Sequence, residues 1–482
     1  VRKDNMKKTA QKIIGTIREN GGEAYLVGGC VRDIILGRKP NDYDIATNLL
    51  PQNIIPMFKK VVPTGIKHLT VTVIENGYPF EVTTYRSDAD YSDGRHPNKV
   101  TPAKTLVEDL KRRDFTMNAL AMKNVDGEVI DYFNGLNDIK SKIIRCVGNA
   151  TDRFEEDKLC ALRAIRFSAQ LKFSLDKDIL NALKQTSLEQ ISRERIGAEL
   201  IRILLTNYPA IAFEVMYGTG ILKQIIPELL PMKGMNGGKY HNETAWDHTY
   251  ACLQESTNHT QKWQLRLSAL LHDIGKPPTF TITETGPHFY GHEKAGVDIA
   301  DKIMKRLKFS NSDINYVKTM IQWHMSTYTK LGDKEIVKKR IKRAVRNIGE
   351  ENLWDMIILN YCDDVANLKV HTPSFDAFVA SRTIWFKWQE IKKVDSALKV
   401  TDLAVNGHDM IKLGYREKQI GEILNNMLDK LDNDEISNDR EALLDYALIV
   451  KMGSNIISNP KISIPDEVKK SLKVREEHRR IK

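Results

Sequence analysis

Apolar positions along the first 150 residues alternate between two periods. Residues 7–20 space their apolar side chains as an amphipathic helix, and Glu23 to Val27 is a short apolar run suited to a buried strand. Cys30 to Leu36 returns to helical spacing through Val31, Ile34 and Ile35, and Asp42-Tyr43-Asp44 opens a second strand. A short helix is expected over Pro51 to Phe58. Val71 to Glu75 and Tyr78 to Thr84 alternate with period two across Asn76-Gly77, which predicts a hairpin. Arg86 to Pro102 is polar and rich in turn residues, so it reads as a mobile loop. Beyond residue 150 the spacing is helical, in Phe154–Phe167, Ser192–Leu200, Leu265–Leu271, Val337–Ile348, Tyr415–Leu431 and Glu441–Met452. The charged end Lys469–Lys482 should fray. The pattern predicts an α+β chain: a head with a mixed sheet and helices over 1–145, then all-α segments over 146–235, 236–365 and 366–482.

Length supports that division, because 482 residues exceed what one core holds. A net charge of +10 favours a polyanionic partner such as RNA. The five cysteines, Cys30, Cys146, Cys160, Cys252 and Cys362, are dispersed and form no Cys-x-x-Cys, which argues against a disulfide framework or a zinc ribbon. No apolar run approaches the roughly 18 residues of a membrane span, so the expectation is a cytoplasmic protein without a membrane partner.

Candidate chemistry begins at the first strand. Gly28 and Gly29 leave backbone N–H groups open to an anion, and Arg32 follows one turn later as a phosphate clamp. Asp42 and Asp44, two apart on a strand, share a face and suit oxygen-ligated Mg²⁺. Glu81 is either a third carboxylate of that cluster or an exposed strand residue. Arg113, Asp114 and Asn118, in Arg-Arg-Asp-Phe-Thr-Met-Asn, are of types that bind phosphate and ribose. Asp157, Cys160, Arg163 and Arg166 recur every three residues. They form either a polar stripe that pairs with a base edge or an ordinary amphipathic face. Lys338, Lys342 and Arg346 make a basic row that is either solvated or a phosphate stripe.

The glycine turn and Asp-x-Asp, in that order and separation, resemble the signature of the class II tRNA nucleotidyltransferases, the CCA-adding enzymes and their bacterial poly(A) polymerase relatives. The resemblance covers residues 22–205 closely. It implies that Gly29 and Arg32 hold a triphosphate, that Asp42 and Asp44 carry the metals, and that Arg113, Asp114 and Asn118 bind sugar and phosphate. It also implies that a Glu-Asp-x-x-Arg motif selects cytosine or adenine. Here that motif reads Glu156-Asp157-Lys-Leu-Cys160, with cysteine in the arginine's place, while Asp157, Arg163 and Arg166 remain. The presence of the whole Arg86 to Val100 loop favours addition of A.

His248, His272-Asp273, His292, His324 and Asp363-Asp364 form a separate constellation. Such clusters favour a divalent metal, and these resemble the HD phosphohydrolase superfamily in order and spacing. Of the two aspartates the flanking pattern favours Asp364, giving His248, His272, Asp273 and Asp364 as the ligand set of a second divalent metal. The expected protein is a nucleotidyltransferase head (1–145), a neck with a nucleotide-base and RNA-binding region (146–235), an HD domain (236–365) and a tRNA-binding tail (366–482). Its expected substrates are tRNA, CTP and ATP, and its oligomeric state is open. An A-adding enzyme or poly(A) polymerase of the same family, and an HD metal phosphohydrolase acting on RNA ends, are the alternatives.

Overall fold

A computed structural model describes residues 2–91, 97–235, 243–284, 286–325, 334–367, 375–394, 399–432 and 435–458. The predicted frayed end, Lys469–Lys482, lies outside them. The chain divides into two units, one of residues 1–322 with 362–371 and the other of 323–361 with 372–482.

The first unit opens with the helix Arg2–Glu19, whose Ala10, Ile13, Ile14 and Ile17 are fully buried. Its strands are β1 (Ala24–Val27), β2 (Asp44–Thr47), β3 (Val61–Gly65), β4 (Thr70–Glu75), β5 (Tyr78–Thr84), β6 (Arg86–Tyr91), β7 (Pro97–Pro102), β8 (Leu120–Met122) and β9 (Val129–Asp131). Seven of them form one sheet in the order β3-β4-β5-β2-β1-β8-β9. Only the β2–β5 pairing is parallel, so the sheet is mixed. Two registers position the acidic residues. Val27 pairs with Asp44, so the turn after β1 begins beside the first residue of β2. Ile45 pairs with Val82, which sets Asp44 next to Glu81 across the parallel pair.

The segment Arg86–Pro102 differs from expectation. Its ends form an antiparallel ribbon, β6 with β7, and residues 92–96 between them lie outside the described set. A backbone ladder with Arg86 opposite Pro102, and a 2.8 Å hydroxyl pair between Ser87 and Thr101, order a stretch that has little apolar surface to bury. Polar content predicts a low burial yield, but hairpin pairing needs only main-chain partners.

After the sheet the unit is helical. The helices Ala150–Glu156 and Leu159–Leu171 are separated by Asp157, whose extended backbone (φ −138°, ψ 101°) ends the first. Leu162 and Ile165 of the second helix join an apolar core that runs without interruption from the sheet to the helices Ala245–Ser256 and Trp263–Leu271. Arg266 is buried there, and its guanidinium donates to the carbonyls of Leu204, Thr206 and Thr260 at 2.7–3.0 Å. Carbonyl dipoles at chain turns thus satisfy a charge that an apolar core would reject.

The second unit has its own core of Leu403, Val405, Met410, Ile423, Leu424, Met427, Leu428 and Leu443. The basic row predicted on the helix Lys334–Ile348 is partly internal. Lys342 and Arg346 both bind Asp432, at 2.8 and 2.5 Å, and Lys342 and Asp432 are each only 6% exposed. Among the described side chains, Arg340 and Arg343 are the exposed basic residues of that helix. All five cysteines are free and buried. No described helix is long and apolar enough to cross a membrane.

Candidate active site

The turn after β1 places Gly28 at φ +79°, a conformation that favours glycine. A Cβ there would lie 2.8 Å from Arg113 Nη1 and 3.9 Å from Asp44 Oδ2. The missing side chain is therefore what lets a guanidinium and a carboxylate close over the turn. Arg113 is steadied by Asp109 at 3.4 Å. Gly29 begins the helix Gly29–Ile35.

Arg32 is buried, and its guanidinium is committed. It donates to Asp33 Oδ1 at 2.7 and 2.9 Å and to Asn118 Oδ1 at 2.8 Å, and it stacks 5.1 Å from the Phe167 ring. In the structure it ties the turn to the helical segment. It does not stand open as a clamp.

Asp44 opens β2, whereas Asp42 precedes the strand. Burial, then the charges of Asp42 and Glu81, push the Asp44 carboxyl up to about 6, and Arg113 opposes the rise. Glu81 alternates with the buried Phe80 and Val82 and is exposed, in keeping with the β5 pattern. Its charge nonetheless reaches Asp44, as does that of Asp42, so three carboxylates act on one another beside the glycine turn. An acid pushed toward neutrality first by burial and then by two neighbouring carboxylates fits a divalent cation with oxygen ligands.

Asp114 is the next link. Its Oδ2 receives both Arg163 Nε, at 2.9 Å, and Arg163 Nη2, while Oδ1 receives Asn118 Nδ2 at 3.0 Å. Burial opposes ionisation, but Arg163 and Asn118 overcome it and hold Asp114 below the usual carboxylate range. Arg32, Asn118, Asp114 and Arg163 thus form one chain of side chains from the glycine turn to the helix Leu159–Leu171. Phe167 lies under the guanidinium groups of Arg32, Arg163 and Arg166.

The predicted stripe on that helix separates in space. Arg166 turns to Glu199, which is fully buried and also binds Arg202 at 3.0 Å. That makes Arg166 a packing partner within the helical neck, because Glu199 without it would be a buried, underpaired charge. Cys160 is buried, and burial, followed by Asp114 and Asp157, raises its thiol well above the ordinary range. Asp157 touches Arg195 instead, Oδ1 to Nη2 at 3.4 Å. In the sequence Arg195 stands out only as part of a helix start, and Glu199 not at all. The available signal was the spacing Arg195, Glu199, Arg202, three and four apart on one helix face.

The histidine constellation forms a second centre in the first unit. His248 Nε2 is 2.8 Å from Asp363 Oδ1, and His272 Nε2 is 3.5 Å from the same oxygen. Asp273 Oδ2 lies 3.3 Å from His272 Nε2 and 3.8 Å from His248 Nε2, and it binds Lys276 at 2.7 Å. His292 Nε2 is 3.5 Å from Asp273 Oδ1. A ligand atom from each of His248, His272 and Asp273 lies within 4.8 Å of the other two. Burial disfavours a charged His272, but Asp273 and Asp363 outweigh it and lift the imidazole to about 10. Gly275 is needed beside this centre, since a Cβ there would lie 2.0 Å from the His292 carbonyl oxygen.

Asp363, not Asp364, reaches the histidines. The two are adjacent on the helix Glu350–Ala366, where one residue turns the side chain by about 100°. The sequence preference for Asp364 is corrected on that ground. His324 falls in the second unit.

Residues 24–145 match a Poly A polymerase head domain, 172–233 a probable RNA and SrmB-binding site of polymerase A, and 245–358 an HD domain. The chain is 45% identical over 218 residues to a CCA-adding enzyme of Lactobacillus johnsonii, covering 45% of this chain and 54% of that one. It is 42% identical over 257 residues to a CCA-adding enzyme of Bacillus cytotoxicus, covering 52% and 64%. The matched stretch therefore spans about half the length of the curated relatives. A crystal structure of the Bacillus stearothermophilus CCA-adding enzyme in complex with CTP is similar over 93% of this chain and 98% of that one, with a TM-score of 0.67 and 26% identity. Together with the mixed-sheet head and helical body, these matches show a poly A polymerase head domain over residues 24–145 and a likeness in sequence and fold to CCA-adding enzymes.

Proposed function

We propose that the chain is a CCA-adding tRNA nucleotidyltransferase, which adds two C residues and then A to the tRNA 3′ end with CTP and ATP as substrates. The observation that carries this reading is the meeting of the Gly28 turn, Arg113 and the Asp42, Asp44 and Glu81 carboxylates at one end of β1 and β2. The names of the relatives in Lactobacillus johnsonii and Bacillus cytotoxicus support it.

Asp42 and Asp44 would hold the cation, and their all-oxygen donor set favours Mg²⁺. When bound, such an ion assists attack of a 3′-hydroxyl on an α-phosphate and neutralises the leaving pyrophosphate. The chain's own groups do the positioning. Gly28 and Gly29 leave the backbone accessible, and Arg113 brings a guanidinium to the phosphates. Asp114 and Asn118, locked by Arg163 and Arg32, present a fixed edge to the sugar. The helical neck and tail (146–235 and 366–482) would grip the tRNA mainly through phosphates, which reads shape more than sequence. A tRNA substrate and five free cysteines fit a cytoplasmic setting. Asp42→Ala should abolish nucleotide addition and leave tRNA binding intact in a filter or gel-shift assay; addition at the wild-type rate would refute the assignment.

The buried His248, His272, Asp273 and Asp363 cluster favours a second activity of the HD type, hydrolysis of a phosphate at an RNA end with a second divalent metal. His272→Ala should remove that hydrolysis and leave nucleotide addition unchanged.

A further inference from the structure

The two oxygens of Asp157 have different surroundings. Oδ1 accepts the Leu159 backbone N–H at 3.1 Å and Arg195 Nη2 at 3.4 Å. Oδ2 faces the Cys160 thiol at 3.9 Å, a weak donor. The other arginines of this region are engaged elsewhere: Arg163 with Asp114, Arg166 with Glu199, and Arg153 with Glu156. Arg195 is held on the helix Arg193–Leu204, which Ser192 caps and the Glu199 ion pairs fasten to its neighbour. The side chains of Asp157 and Arg195 are 27% and 18% exposed, sheltered yet within reach of a ligand.

We propose that Arg195 and Asp157 together read the base of the incoming nucleotide, with Arg195 supplying the guanidinium that Cys160 does not. The inference rests on the nucleotide addition proposed for the head. Asp157 lies just before the helix Leu159–Leu171, whose Arg163 binds Asp114. With the sugar against Asp114, a base extending toward the start of that helix would meet Asp157 and Arg195. Cytosine and adenine both present an exocyclic amino donor beside a ring-nitrogen acceptor. A carboxylate oxygen next to a guanidinium N–H complements that pair. Uracil and guanine carry a carbonyl and a ring N–H in the same places, so both contacts would be mismatched. Polar groups left unpaired in a sheltered site give strong discrimination, and no nucleic-acid template is required.

The test uses full-length Arg195→Gln and Arg195→Lys, with CTP, ATP, UTP and GTP offered separately to tRNAs that end before CCA or after CC. Arg195→Gln should raise the KM for CTP and ATP by about tenfold or more and shrink the preference for them over UTP and GTP. Lysine keeps the charge opposite Asp157 but not the planar fork, so Arg195→Lys should also lose preference, with a melting temperature close to that of the parent protein. Wild-type preference in either variant overturns the proposal. So does an equal loss for all four nucleotides, which is the mark of a merely structural role. Failure of the unaltered protein to add any nucleotide would instead end the reading on which the proposal rests.

Discussion

Asp44 sits ionised at neutral pH in surroundings that resist its charge. Its folded-state value of about 6 lies above the ordinary 3.8, so its contribution to stability is lost as pH rises from 3.8 through 6. Above pH 6 the full cost applies, up to about 3 kcal/mol for a shift of this size. Asp44→Asn should therefore raise the melting temperature in EDTA at pH 7.5 by several degrees while abolishing nucleotide addition. A variant that melts at or below the parent temperature would show that the carboxylates are not strained against one another. At this scale the sequence was informative where the chemistry is local. Gly28, Gly29, Asp42 and Asp44 lie within one strand–turn–helix–strand passage, and their order alone suggested the site. Glu81 stayed ambiguous because its approach to Asp44 depends on a parallel pairing between strands far apart in sequence. Arg195 and Glu199 were missed because Asp157 and Arg166, their partners, lie on other segments of the chain, and that packing is not written in the spacing of either residue. Asp363 and Asp364 could not be separated without the helix's rotation.

Helix-scale patterning identified the elements better than their faces. The alternation across Asn76-Gly77 gave the β4–β5 hairpin, with Glu75 opposite Tyr78. The basic helix Lys334–Ile348 showed the same limit as the stripe on Leu159–Leu171: charges in a row on one element need not share a purpose. Lys342 and Arg346 converge on Asp432 in a region where Lys342 and Asp432 are almost completely shielded. Removing the shared acid takes the 2.8 and 2.5 Å partner from both cations and leaves Arg346 with Asp429 at 3.4 Å. Asp432→Ala should destabilise the protein by about 3–5 kcal/mol, read as a lower urea midpoint. An unchanged midpoint would mean that water already reaches those cations. Arg340→Ala, on an exposed residue of the same helix, should change the midpoint little.

At the scale of the molecule, the chain pairs a mixed-sheet head with a histidine–aspartate centre in one continuous core, and it carries a net charge of +10. Fold class followed from periodicity, since the change from two-residue to helical spacing near residue 150 is long and consistent. The division at residue 322 did not, because it depends on which helices pack together rather than on any linker composition. Cys160 leaves one question above the others: whether cytosine is still read. The direct measurement is labelled-nucleotide addition to three tRNAs, ending before CCA, after the first C and after CC, with CTP and ATP supplied separately. A CCA-adding enzyme should add C twice to the first tRNA and once to the second, and should add A from ATP to the third. ATP addition to the third with no use of CTP would contradict the CCA-adding function and the capacity of Arg195 to replace the missing arginine; no addition to any of the three would contradict the nucleotidyltransferase reading itself.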